Sequence, residues 1–387
     1  MLKMLNVQNF LLQIVEFDGN ALSALEALKE EFGIKYRIYP EDRMVLLDYD
    51  QIESPKSHPI VIECRSLILS YPNFLNVVSR KFDRFFNYGE CPEYYHDFDF
   101  EDSIVYEKAD GSLIGVYFNF GGTNRWEIST RGMAKAEGPH LFYPTFRDCV
   151  LDTFGFRDEA HFQSVFNDVG NSYYTYVFEC TGPKNKCVKR YDTPEMVCLG
   201  VIDNITGKAV RNKENEVERL LAGNFGLNVR LPVVYDSTDV DSIVKMVSEF
   251  KNLDEGVVVY DRNSGKRVKI KSATYVAAHK LRGNDPVPTV KNMLTVIFEG
   301  EVDELLAYFP EFEEYVNPLR DKINEALAEM QELWHNVKGI ENQKDFALAI
   351  KDCKLKNVLF EARKNNSDPI HTFNTLNLNY KLKIFGA

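Results

Sequence analysis

The sequence is first informative for what it lacks. It has no apolar run near the roughly 20 residues needed to span a bilayer, so no membrane segment is expected. Met1–Phe10 lacks the basic start and apolar centre of a secretory leader. Its seven cysteines stand singly, at 64, 91, 149, 180, 187, 198 and 353, and none has Cys-x-x-Cys spacing. Neither a zinc site nor a disulfide framework is therefore indicated, and a reducing cytosol is the expected compartment. There are no internal repeats and no low-complexity tracts. Nor is there an excess of positive charge: 46 Lys and Arg against 58 Asp and Glu leave a net charge of −12. Taken as a sum, that argues against a nucleic-acid partner, whose phosphates require cations.

The distribution of charge changes this reading. Arg262–Arg282 holds seven basic residues and no acidic one, and Lys184–Arg190 holds four basic residues in seven. Glu301–Trp334 holds ten acidic residues against two basic. A local site for an anionic ligand is thus compatible with an acidic protein. With 387 residues, 44% apolar and 27% charged, the chain has a globular composition and two domains are expected.

Asn20–Phe32 reads as a helix, with Asn20 as N-cap and Gly33 as its stop. Short β-rich runs follow: Met44–Tyr49, Ile60–Glu63, Leu67–Leu69, Asn76–Arg80, Arg125–Thr130, Tyr173–Cys180 and Met196–Asp203. Gly256–Tyr260 and Arg267–Ile270 flank the turn Asn263-Ser264-Gly265. Helical intervals are expected at Tyr143–Asn167 and Asn212–Ala222. Gly283–Pro288 reads as a linker. Beyond it the pattern is helical, with Asn317-Pro318 starting a helix whose core stripe is Ile323, Leu327, Met330, Leu333, Trp334 and Val337. Phe346, Ala349, Ile350 and Cys353 form a second stripe. The expected architecture is α+β, with an antiparallel-sheet domain over 1–283 and a smaller all-helical domain over 284–387.

One stretch carries unusual chemistry. Lys108-Ala109-Asp110-Gly111 lies between the apolar runs Ile104–Tyr106 and Leu113–Phe118, which read as a hairpin. A lysine at a strand end can supply an amine that attacks phosphorus. Four further clusters accompany it: Glu63-Cys64-Arg65, Arg84-Phe85-Phe86-Asn87, Phe178-Glu179, and Asp254-Glu255-Gly256 with Lys269-Ile270-Lys271. Each has a plain alternative, such as a surface ion pair for Glu63-Cys64-Arg65 or a solvated loop for Lys184–Arg190. Period-two alternation places Lys269 and Lys271 on one strand face, where an intervening phosphate relieves their repulsion. Only one of Phe85 and Phe86 can face inward.

The ordered series Lys-x-Asp-Gly, strand-end Glu, Glu-Gly-x-Val and Lys-x-Lys resembles that of covalent nucleotidyltransferases. The flanking words, Glu63-Cys64-Arg65, Phe85-Phe86-Asn87 and Lys269-Ile270-Lys271-Ser272 with Tyr275, resemble the RNA ligase 1 family of T-even-like phages, over about Tyr36–Asp303. This resemblance implies an ATP-grasp-like nucleotidyltransferase domain followed by a helical RNA-specificity domain. It implies ATP and Mg²⁺ (or Mn²⁺) as cofactors and Lys108 as the adenylated nucleophile. Tyr49, Arg65, Arg84, Arg131, Glu179, Glu255, Lys269 and Lys271 would contact ATP. Catalysis would use Glu179, Glu255, Lys269 and Lys271, ligation Tyr275, and metal binding Asp303 and Glu255. Arg84 and Arg131 stand where the family has lysines, and Ser66 where it has glycine. Implied partners are RNA ends, nicked tRNA anticodon loops and an end-healing polynucleotide kinase/phosphatase, with a monomeric enzyme in the cytoplasm, the host's if the source is a phage. The alternatives are a capping guanylyltransferase, a DNA ligase, and a non-catalytic nucleotide- or RNA-binding module. Since attack requires an uncharged amine, Lys269, Lys271 and a metal are expected to lower the pKa of Lys108.

Overall fold

The computed structural model describes residues 4–386 apart from 186, 238, 252, 283–288, 301, 303–305 and 307–309. The chain divides into two compact units, Met1–Ser272 and Ala273–Ala387. The helix Ala273–Arg282 thus counts with the second unit, ahead of the expected boundary after residue 283.

The first unit holds three sheets. β1 (Ile34–Tyr39), β2 (Met44–Tyr49), β3 (Arg65–Ser70) and β4 (Val77–Ser79) pair antiparallel in that order. Two helices, Asn6–Asp18 and Ala21–Phe32, bury Val7, Leu11, Leu25 and Leu28 in a core shared with this sheet. Asn20 caps the second helix by accepting from the Leu22 amide. The N-cap of the first helix, Leu5, has no side-chain acceptor, and its own segment supplies only Gln8, which accepts from the Leu5 amide. Instead the Glu63 carboxylate, buried and 57 positions away, accepts from the backbone and side-chain nitrogens of Asn6 at 3.1 and 2.7 Å, and from the Val7 amide at 2.9 Å. Glu63 is therefore neither a surface ion pair nor part of the candidate site. Ile60–Glu63, expected as strand, lies in the short helix Pro59–Glu63: proline at its first position and the Ile60 amide bonded to His58 Nδ1 favour the turn.

The second sheet has the order β11 (Val229–Arg230), β10 (Glu195–Asp203), β9 (Tyr174–Thr181), β7 (Ser112–Phe118), β8 (Trp126–Ser129). The helices Phe146–Phe154 and Glu159–Val169 pack aromatic residues on it, Phe154, Phe162 and Phe166 being fully buried against Trp126 and Phe178. They divide the single interval expected over 143–167, because Gly155 ends the first in a left-handed conformation and Asp158 caps the second. The third sheet has the order β12 (Val234–Tyr235), β6 (Ser103–Glu107), β13 (Gly256–Asp261), β14 (Arg267–Lys271), β5 (Phe86–Asn87). β13 and β14 form the expected hairpin through Asn263-Ser264-Gly265. Helix Val240–Ser248 covers this sheet's outer face through Ile243 and Val247. Nearly all pairings are antiparallel; β10 with β11 and β14 with β5 are parallel.

The strands flanking Lys108 do not form a hairpin. β6 pairs with β12 and β13, whereas β7 pairs with β8 and β9. The Lys-x-Asp-Gly turn is the place where the chain crosses from one sheet to the other, and a cavity lies between the two sheets beside it.

Among its described residues the second unit contains helices and no strand. Met330, Val337, Phe346, Ile350 and Cys353 share one core with Leu327, Leu333 and Trp334 packed against it, and Ile323 joins a smaller neighbouring cluster. Ala349 is exposed, since its helix ends there. The long helix spans Glu313–Val337 and carries Pro318 inside it; Asn317-Pro318 does not start it. The expected linker 283–288 lies outside the described residues. No helix among the described residues is long and apolar enough to cross a membrane.

Candidate active site

The Lys108 turn is fixed from both sides. The Lys108 amide donates to Gly256 O at 3.0 Å. Asp110 is buried, its amide donates to the Tyr191 hydroxyl, and its carboxylate accepts from the Lys189 amide. Gly111 is required by proximity: a Cβ there would lie 2.2 Å from Cys180 O on β9. Gly256, at φ 138°, is required both by its backbone and by Ile270 O, 2.1 Å from where a Cβ would sit.

The turn brings Lys108 Nζ to 2.6 Å from Glu255 Oε2, and Lys271 Nζ lies 2.8 Å from Oε1 of the same carboxylate. Glu255 is thus shared by two ammonium groups. Burial raises its pKa, but Lys108 and Lys271 outweigh burial and leave it lowered. The complementary effect falls on Lys108. Burial lowers its pKa, Glu255 and then Glu179 raise it, and the balance is upward. The expected lowering of Lys108 by its cationic neighbours is therefore overturned. The reason is that a carboxylate stands between Lys108 and Lys271. The depressed lysine is Lys269, brought down to about 7 by burial and then by Arg65, Lys108 and Lys271. Its ammonium lies 4.8 Å from the Phe85 ring centre. Glu179, at the wall of the cavity, is pushed up to about 8, chiefly by burial.

Arg65 connects this group to a second one. Its guanidinium packs on Phe85 at 4.9 Å. The charges that act on it include Tyr49, Arg131, Glu179 and Asp48. Tyr49 is packed against two guanidiniums, with Arg84 at 4.0 Å and Arg131 at 4.7 Å from its ring centre. Arg131 donates to Asp48 at 3.1 Å. Arg84 is buried, and its Nη1 has no hydrogen-bond partner among the described residues. A buried guanidinium nitrogen left unsatisfied is costly unless a ligand supplies the acceptor. Phe85 faces the cavity, while Phe86 is buried against Tyr94 and Tyr95.

One residue of this region escaped sequence reasoning. Lys81 is 1% exposed, and its amine donates to Ser66 Oγ and Ser129 Oγ, both at 2.8 Å. Those hydroxyls in turn donate to Thr130 O and Gly115 O. Two donated bonds are the capacity of a neutral amine, and burial, then Arg65, bring Lys81 down to about 7. Lys81 ties together the segments that carry Arg65, Arg84 and Arg131. The signal available in the sequence was Ser66, at φ 58° in place of the family's glycine.

The cavity holds about 320 Å³ and is walled by Leu113, Glu179, Leu199 and Val258, with Lys108 and Arg65 at its edge. That is the size of a small-ligand pocket. Residues 63–275, more than half of the chain, match the model of the RNA ligase family. This chain belongs to that family. Among its RNA ligase relatives is a protein of Autographa californica nuclear polyhedrosis virus whose name describes a bifunctional polynucleotide kinase/RNA ligase, 34% identical over 79% of this chain and 43% of that one. The chain thus spans less than half the length of that relative. An RNA ligase of Rhodothermus phage RM378 is 25% identical over 67% of this chain and 68% of its own. Among solved structures, an archaeal ATP-dependent RNA ligase has 16% identity over 81% of this chain and 76% of its own, with a TM-score of 0.45.

Of the residues singled out in this RNA ligase family member, Tyr49, Arg65, Arg84, Lys108, Arg131, Glu179, Glu255, Lys269 and Lys271 fall in the first unit and interact in the chain of contacts described above. Tyr275 falls in the second unit, buried, its ring 5.9 Å from His279. Asp303 lies outside the described residues. The basic run Lys184–Arg190 is partly committed to structure, with Lys189 paired to Asp254 and Lys184 bonded to Tyr143.

Proposed function

We propose that the chain is an ATP-dependent RNA ligase that carries AMP on Lys108 and joins 5′-phosphate to 3′-hydroxyl ends. The observation that carries this reading is the convergence of six cations, Arg65, Arg84, Arg131, Lys108, Lys269 and Lys271, with the carboxylates Asp48, Glu179 and Glu255, in a group whose Arg65, Lys108 and Glu179 line a nucleoside-sized cavity. Excess positive charge and the unsatisfied Arg84 nitrogen fit a polyphosphate. The apolar walls Leu113, Leu199 and Val258 fit a nucleobase.

No three His, Cys, Asp or Glu side chains converge on a cation position among the described residues. A Mg²⁺ ion held by one or two carboxylates and completed by phosphate and water is compatible with that. Glu255, with Glu179 nearby, is where it would be held, and when bound it would neutralise phosphoryl charge. The rest falls to the chain. Lys108 attacks the α-phosphorus once its proton is released, the P–N bond forming as the bond to the β-phosphate breaks and pyrophosphate leaves; loss of its contact with Glu255 removes the strongest attraction that keeps that proton. Lys269 and Lys271 meet the charge on the phosphoryl oxygens. AMP then passes to an RNA 5′-phosphate and leaves when the 3′-hydroxyl attacks.

The preferred substrate in this reading is a cleaved tRNA anticodon loop, acted on after an end-healing kinase/phosphatase. The pairing is supported by the name of the viral relative, which joins a polynucleotide kinase to an RNA ligase. The test is ligation of a nicked tRNA stem-loop beside a plain single strand, with ATP or GTP. Faster ATP-dependent sealing of the stem-loop is expected. Absence of sealing with either nucleotide would refute the activity, and equal rates on the two RNAs would refute the preference.

A further inference from the structure

The cavity beside Lys108 shares Phe82, Arg211, Tyr260 and Arg267 with a second groove, which is lined also by Lys208. On β14 the alternation that turns Lys269 and Lys271 toward the site turns Arg267 the same way. Its guanidinium lies between two rings, 4.0 Å from Phe82 and 4.5 Å from Tyr260. Its one side-chain hydrogen bond among the described residues is a long one, 3.4 Å to Gly265 O, and it has no ion pair there. Lys208 and Arg211 likewise have no ion pair among the described residues. The groove's other basic side chains are committed: Arg262 to Asp102, Lys266 to Asp97, and Lys81 to the Ser66 and Ser129 hydroxyls. Asp83, the carboxylate in the groove wall, is held by Arg80. Three uncompensated cations thus gather in one groove of a chain with net charge −12.

We propose that this groove binds backbone phosphates of the RNA strand whose end reacts at Lys108. The inference rests on the ligase reading above and adds where the strand runs. Distance favours a polynucleotide over a mononucleotide. Val257 pairs with Glu107, next to Lys108, and Asp261 pairs with Ser103. The four steps from Val257 to Asp261 along β13 cover about 14 Å at ~3.4 Å each. A stacked strand carries one phosphate per ~3.4 Å, so the groove, which leaves the cavity at Arg211 and Arg267 and reaches the Asn263-Ser264-Gly265 turn, has its far end about four nucleotides from the reacting end. The ring-stacked Arg267 is held in place before a ligand arrives, which reduces the ordering cost of binding.

The test compares the full chain with a Lys208→Ala variant, that position being exposed and lining the groove but not the cavity. Binding of 5′-phosphorylated single-stranded RNAs of about twelve and about three nucleotides is measured against salt, alongside self-adenylylation by ATP. The longer RNA is expected to bind about threefold more weakly to the variant, with the slope of log K against log salt reduced by about 0.7, for one lost contact. The shorter RNA and self-adenylylation are expected to be unchanged. Equal affinity and slope for the longer RNA would overturn the proposal, as would an equal loss with the shorter one, which would place the groove's ligand at the nucleotide. Failure of the unmodified chain to adenylylate itself would refute the ligase reading, while the RNA comparison still decides the groove.

Discussion

Lys108 and Glu255, 147 positions apart, meet at 2.6 Å, and that contact keeps the lysine charged. The carboxylate that assembles the site also restrains its nucleophile. Replacing Glu255 with Gln removes the charge that holds the proton. The rise of the self-adenylylation rate with pH should then level off at a lower pH than in the unmodified chain. The rate itself should fall by about 10²-fold, because phosphoryl charge loses part of its organised surroundings. A pH–rate profile read by retained label from ATP checks both. An unmoved profile would show that Glu255 does not control this proton.

The buried Lys81 predicts a pH dependence of stability. Its folded pKa, about 7, is below the value of ~10.4 in an unfolded chain. Between those values the unfolded state binds the extra proton, so Lys81 favours folding increasingly as pH rises from about 7 to 10, by at most ~1.4 kcal/mol per unit. Melting temperatures of the unmodified chain and of Lys81→Met, compared at pH 6.5 and 9.5, should show the unmodified chain gaining on the variant at the higher pH. A constant difference would contradict the neutral-amine assignment.

Glu179 runs the other way. Its folded pKa, about 8, exceeds the unfolded carboxylate's ~4.3. The folded state holds the extra proton, so this group's contribution to stability is present at low pH and lost as pH rises through 8. Glu179→Gln, which resembles the protonated acid, should therefore gain in melting temperature relative to the unmodified chain between pH 5 and 8.5.

Tyr49 orients Arg84 and Arg131 by lying against both. Tyr49→Leu keeps an apolar side chain and removes the ring. At ~0.5–2 kcal/mol for a cation–π contact, the KM for ATP in self-adenylylation should rise about 2- to 30-fold. An unchanged KM would show that the two arginines hold their places without the ring.

The sequence was most legible where one chemical pattern dictates one local outcome. Lys269 and Lys271 share a face because strands alternate, and Asn20 and Gly33 bound a helix because they cap it. It was least legible where distant residues decide. The helix Asn6–Asp18 has Leu5 where a capping side chain would stand and borrows its acceptor from Glu63, so its start was not read. Lys108 sits in a crossover because β6 and β7 find partners in different sheets, and nothing in the turn distinguishes that from a hairpin. The sign of the Lys108 shift depended on Glu255 lying between two lysines, a fact of tertiary placement. Gly111 was legible as a turn glycine, but its reason, the approach of Cys180 O, was not.

The most direct measurement is to incubate the chain with ATP labelled in its α-phosphate and to locate the covalent adduct by peptide mapping, with Lys108→Ala beside it. The account predicts AMP joined to the Lys108 nitrogen in the unmodified chain and no adduct in the variant. An adduct on another residue, or label retained by Lys108→Ala, would contradict it.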